Sequence, residues 1–167
     1  MSLSVSTVEI EEIEALDVVE HVLALADWDF DRDEADSVQC VASTKWGDMG
    51  ALFAVRSEPA AVHFSLTIDV KPRAGKHAAI RELVVAMNER LWLGHFDFWA
   101  DENVVLFRHT LPLTGRDAPG QGEIHAVLSA AIEAAERFIP AFNFMVWAGK
   151  TPIDAIAAVL FETDGEA

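Results

Sequence analysis

Ten consecutive residues, 62–71, alternate between apolar and polar side chains. The apolar members are Val62, Phe64, Leu66, Ile68 and Val70. Successive side chains of a strand point to opposite faces, so this pattern predicts a strand with one face on a core and one in water. Such strands are typical of antiparallel sheets. We therefore expect Phe64, Leu66 and Ile68 to lie under helices, and Ser65, Thr67 and Asp69 to face solvent or a polar interface.

The remaining patterns supply the other elements of the same fold. Apolar residues at helical spacing predict helices that begin near Leu16, Ile80 and Ile124. Shorter strand signals lie at 38–43, 49–56, 96–99 and 104–111. The acidic run 29–36 is expected to be a turn or a short strand. The order α-β-β-β-α-β-β-α, with a short C-terminal helix, predicts an α+β fold in which helices pack on a five-stranded antiparallel sheet.

Glycine, proline and capping residues predict where the helices end. Gly94 is expected to end the second helix. Pro140 is expected to kink or interrupt the third helix. Thr151 suits the N-cap of the final helix, with Pro152 at its first position and Asp154 near its positive end. We expect one domain over 15–161, preceded by a polar acidic segment, 1–14, and followed by a polar tail, 162–167.

The charge of the chain disfavours several classes of partner. It carries 12 Lys and Arg against 28 Asp and Glu, a net charge of −16. Binding to nucleic acids or to anionic lipid depends largely on cationic side chains, so neither is expected. The apolar stretches are too short or too interrupted to span a bilayer, and the start of the chain lacks the cations of a signal peptide. We expect a soluble cytoplasmic protein. The negative charge is also compatible with a basic protein as partner.

The sequence contains no complete motif for catalysis or metal binding. The segment that starts at Asp29 resembles a calcium loop, but Glu34 and Cys40 stand where glycine and glutamate are required. The six histidines show no zinc-ligand spacing, although His63 and His109 could meet across the sheet. Cys40, the single cysteine, is expected to be a small core residue, with a reactive thiol as the alternative. We therefore expect no catalytic residue, metal or cofactor, and no enzyme.

Three short motifs give the chain a family resemblance. They are Leu93-Gly94-His95-Phe96, the run from Phe107 to Leu113, and Ile139-Pro140-Ala141. With the order of elements, they make residues 15–150 similar to the YbjN-like family of bacterial proteins, described as "putative sensory transduction regulators". The resemblance implies a fold like that of type III secretion chaperones, which is often dimeric. It implies no catalytic residues, because that family has no agreed biochemical activity.

The sequence is compatible with three functions. The first is a non-enzymatic protein-interaction module, chaperone-like or regulatory. The others are a small-molecule sensor or carrier with an aromatic-lined cavity, and an unrecognised enzyme. The segment 141–147 is apolar nearly all round, so it is expected to be covered on more than one side, within the monomer or by a second copy. We predict a symmetric homodimer; its candidate interface residues are Phe142, Phe144, Met145, Trp147, Ile156 and Leu160.

Overall fold

Six strands form one antiparallel sheet within residues 14–33 and 36–164, which are the residues that the computed structural model describes. Their spatial order is β1-β2-β3-β4-β6-β5. The strands are β1 (Phe30–Asp33), β2 (Ser37–Thr44), β3 (Gly47–Ser57), β4 (Ala60–Ile68), β5 (His95–Trp99) and β6 (Val104–Pro112). The expected acidic segment 1–14 lies outside the described residues except for Glu14.

Four helices complete this described part of the chain. They are α1 (Ala15–Leu25), α2 (His77–Asn88), α3 (Gln121–Trp147) and α4 (Pro152–Asp164). The predicted cap of α4 is confirmed, because the Asp154 N–H donates to Thr151 Oγ1 at 3.2 Å and the Thr151 hydroxyl donates to Asp154 Oδ2 at 2.8 Å. These bonds satisfy an otherwise unpaired donor of the first turn. Helix α4 therefore begins where the sequence indicated.

The alternation in β4 determines which side of the sheet is covered. Phe64, Leu66 and Ile68 are buried, as predicted, and join the same core as the inner residues of the helices. Thr67 and Asp69 are exposed, and Ser65 is half-buried. Helices α1 and α3 contact the central strands, and α2 contacts β5. The sheet thus has one face under helices and one face without them.

The sheet has six strands rather than the expected five, and β1 is the additional one. Its sequence, Phe30 to Asp33, has no apolar alternation, so its pairing with β2 depends on the backbone. Arg32 points to the helical side, where its guanidinium donates to Glu20 at 2.9 Å and to Asp17 at 2.8 Å. These ion pairs attach the charged edge strand β1 to helix α1. A charge that points inward also protects a sheet edge from unwanted pairing.

Helix α3 continues through Pro140 for its full length, Gln121 to Trp147. Proline lacks the N–H that would bond to the carbonyl four residues earlier, which belongs to Glu136. The Trp46 indole N–H donates to that carbonyl at 2.9 Å, and the Lys45 N–H donates to the Glu136 carboxylate at 2.8 Å. The β2–β3 turn therefore supplies the hydrogen bond that Pro140 cannot make.

The second helix ends at Asn88, earlier than the expected end at Gly94. The Asn88 side chain bonds to both backbone groups of Phe96, at 2.9 Å and 2.7 Å, and so caps the outer edge of β5. Gly94 has a positive φ of 71°, and a Cβ there would lie 2.2 Å from Cζ of Phe107. Gly94 is required by the close approach of this ring rather than by the helix end.

We predict that Leu66→Ala lowers the free energy of unfolding by about 2–5 kcal/mol, because it leaves a cavity in the covered core. Denaturant titration measures this loss. Thr67→Ala is the control, since its side chain lies on the open face of the same strand and should cost little. Equal losses for the two variants would contradict the assigned faces.

Candidate protein-interaction surfaces

The histidines are dispersed, and two of them bond to neighbouring side chains. His63 Nδ1 and Thr110 Oγ1 share a hydrogen bond of 2.8 Å, and His77 Nε2 lies 3.1 Å from Asn103 Oδ1. His63 and His109 do not meet, because they lie on opposite faces of adjacent strands. Burial lowers the pKa of both imidazoles. Among the described residues no three His, Cys, Asp or Glu side chains come together as a metal site.

Cys40 lies in the core of the sheet with only 4% of its surface exposed. Burial raises the pKa of its thiol to about 12. A thiolate is the reactive form of cysteine, and burial without a cationic neighbour disfavours it. The structure therefore favours a packing role for Cys40.

A polar cluster on the face without helices joins Asp97, Trp99 and Arg108. Arg108 Nη1 donates to Asp97 Oδ2 at 2.9 Å, and the Trp99 indole N–H donates to the same oxygen at 3.0 Å. The guanidinium also lies over the Trp99 ring, 5.2 Å from its centre. Partial burial raises the pKa of Asp97, but these hydrogen bonds lower it by more. The carboxylate is held ionised and fully engaged, which suits an ion pair better than a general base.

The candidate interface residues divide into buried and exposed groups. Phe142, Met145 and Ile156 are buried within the monomer, where α3 and α4 pack together. Phe144 and Leu160 are half-buried. Trp147, by contrast, is 81% exposed. Most of the apolar 141–147 segment is therefore covered by the chain itself, and its last residue reaches solvent.

Helix α4 has a second apolar side, whose residues are not among the predicted interface residues. Ile153, Ala157 and Phe161 follow one another at four-residue steps, which places them on one helical face. Ile153 is 71% exposed and Phe161 is 79% exposed. The opposite side of α4 is buried through Ala155, Ile156 and Val159. We call Trp147, Ile153, Ala157 and Phe161 the helical-end patch. In the sequence, the apolar residues of α4 cover more of the helix than one buried stripe requires, and this is the sign of an exposed apolar side.

The open sheet face, which carries no helix among the described residues, is the second candidate surface. Its residues alternate with the buried ones and include Gln39, Val41, Gly50 and Thr67. Two clefts on the described part of the molecule, with volumes of about 600 and 720 Å³, are open to solvent. Their linings include one aromatic side chain, Phe30. This geometry differs from the enclosed aromatic cavity expected of a small-molecule carrier.

A comparison with protein-family models identifies a relationship that covers most of the chain. The YbjN model, described as "Putative bacterial sensory transduction regulator", matches residues 15–144. The chain belongs to the YbjN family. A comparison with the curated proteins found no match.

The YbjN match extends from the start of α1 nearly to the end of α3. It includes the whole sheet, and it ends before Trp147 and α4. The family description names a regulator rather than an enzyme. The matched residues include the strands of the open sheet face and end before the helical-end patch. Within the described residues, no helix has the length and apolar composition needed to cross a membrane.

We predict that Cys40 reacts slowly with a chromogenic disulfide reagent in the folded protein, because its thiol is buried and protonated. Reaction should be complete when guanidinium unfolds the chain, and this serves as the internal control. Rapid stoichiometric labelling of the folded protein at neutral pH would contradict a purely structural role.

Proposed function

We propose that this YbjN-family chain is a non-enzymatic regulatory module that acts by binding other proteins and forms a symmetric homodimer through the helical-end patch. The observation that carries this proposal is the exposure of Trp147, Ile153 and Phe161 on one pair of packed helices. Large apolar side chains concentrated on an exposed helical surface commonly mark an interaction site. The type III secretion chaperone-like fold that the resemblance implies stays a prediction.

The second copy is favoured over other occupants by the character of this patch. Burying an isoleucine or phenylalanine side chain contributes about 1.5–3 kcal/mol, and a two-fold interface uses each residue twice. Charges of both signs lie on either side of Ile153 in sequence, Lys150 before it and Asp154 after it. A two-fold axis can pair such opposite charges between copies. Salt screens the repulsion between two acidic subunits beyond about 8–10 Å.

A non-enzymatic role is supported by how the titratable groups are used. The cluster of Asp97 and Arg108 is internally paired, Cys40 is buried, and His63 and His77 bond to Thr110 and Asn103. General acid–base catalysis needs a titratable group that is free to reach a substrate. The family description, a regulator, agrees with this interpretation.

We predict that Ile153→Glu converts a dimer to a monomer, because it places a charge in the centre of the helical-end patch. Light scattering of a dilution series measures the mass of each protein. Leu25→Glu is the matched control: Leu25 is 72% exposed, at the end of α1, a helix with no substantial contact to α4. It adds the same charge and should leave the mass unchanged.

The wild-type mass decides between the alternatives. A monomer at high micromolar concentration would reject the homodimer. A dimer that both glutamate variants leave intact would place the interface elsewhere. Circular dichroism of each variant verifies that the helices are retained.

A further inference from the structure

The open sheet face contains a groove where two neighbouring strands separate. The paired register of β3 and β4 ends at Ala51 and Leu66, although β3 begins at Gly47 and β4 runs to Ile68. Two cavities lie here, of about 600 and 350 Å³, and both are lined by Gly50 and Thr67. The two cavities share these lining residues, and we infer that together they make one groove across the sheet.

Gly50 has no side chain that would fill this groove. It lies within β3, opposite Val41 of β2, in a continuous antiparallel register. A Cβ added to Gly50 would meet nothing within 4 Å, and its backbone has no positive φ. Glycine inside a strand weakens it, and it often marks a place where another backbone or a ligand approaches closely. Neither packing nor conformation requires glycine at this position, and a close approach by a partner's backbone would account for it.

The side chains around the groove are strongly acidic. Five exposed carboxylates line the two cavities, against a single cation among their described lining residues, Lys71. The carboxylates are Asp29 and Asp31 at one end and Asp48, Asp69 and Glu102 at the other. Val41 and Leu52 lie in the floor beside Asp31. We call this feature the acidic groove.

We propose that the acidic groove binds an extended, cationic segment of a partner protein, with apolar residues in its centre and lysine or arginine at its ends. The opposite charge of such a segment complements the carboxylates at both ends of the groove, and its small apolar residues fit against Val41 and Leu52. A second copy of this chain is disfavoured, because a two-fold axis would bring like carboxylates together. This inference rests on the proposed role as an interaction module and names its partner by chemistry.

The direct test is a synthetic peptide with valines in its centre and lysines at both ends, labelled for fluorescence anisotropy. The wild-type chain should bind it, and the affinity should fall as salt rises, because exposed charges are screened. The same peptide with glutamate in place of lysine should not bind. Absence of binding, or equal binding of the two peptides, would overturn the proposal.

Gly50→Leu fills the groove and tests its location. We expect it to weaken peptide binding by about tenfold or more, which corresponds to about 1.4 kcal/mol. Gly122→Leu is the matched control, since a Cβ there also meets nothing within 4 Å and Gly122 lies in α3, away from the groove. Its affinity should equal that of the wild type. Unchanged binding by a folded Gly50→Leu protein would contradict the proposal.

A charge variant keeps the test decisive if Gly50→Leu fails to fold. Asp31→Asn combined with Asp69→Asn preserves shape, removes one charge at each end of the groove, and should weaken binding several-fold with a reduced salt dependence. Light scattering of the same proteins separates the two proposals. A fall in mass with Gly50→Leu would identify the groove as an interface between copies. A monomeric wild-type chain that still binds the peptide would reject the homodimer alone.

Discussion

The packing of four phenylalanine rings joins the sheet to the longest helix, and both candidate surfaces depend on it. Phe96 of β5 makes edge-on contacts with Phe107, Phe138 and Phe142, at centre distances of 5.7–6.0 Å. Each such contact contributes about 0.5–1.5 kcal/mol beyond burial. The cluster fixes α3 on one face of the sheet, and α3 in turn supports α4. The helical-end patch and the acidic groove consequently lie on opposite sides of the sheet, so one can be occupied while the other stays accessible.

The sequence predicts the parts of this fold that rest on local patterns. The alternation around Leu66 assigns the covered face, and Thr151 marks the start of α4, because each signal lies within a few residues of its effect. The sequence indicates a turn or a short strand for the acidic run 29–36 but does not count it in the sheet, since Arg32 is stabilised by carboxylates of a helix more than ten residues earlier. The continuity of α3 at Pro140 likewise depends on Trp46, a distant residue that donates to the freed carbonyl. Such compensation is tertiary and leaves no local pattern.

The candidate surfaces were predicted less completely, for a related reason. A segment that is apolar all round must be covered, but its sequence does not say by what. Phe142 and Met145 are covered within the monomer, whereas Trp147 is exposed. The exposed face of α4, with Ile153 and Phe161, becomes visible only once the other face is known to be buried. The acidic groove arises from strands that separate in three dimensions, and its sole local sign is a glycine within a strand.

Hydrogen exchange of the full chain, measured at dilute and at concentrated protein, tests the central claim that copies pair through the helical end and leave the opposite face free. The account predicts that exchange slows with concentration in residues 144–162, because pairing suppresses local opening of these helices. Exchange in β2, β3 and β4 should be the same at both concentrations. Slowing confined to those strands, or no dependence on concentration anywhere, would contradict the account.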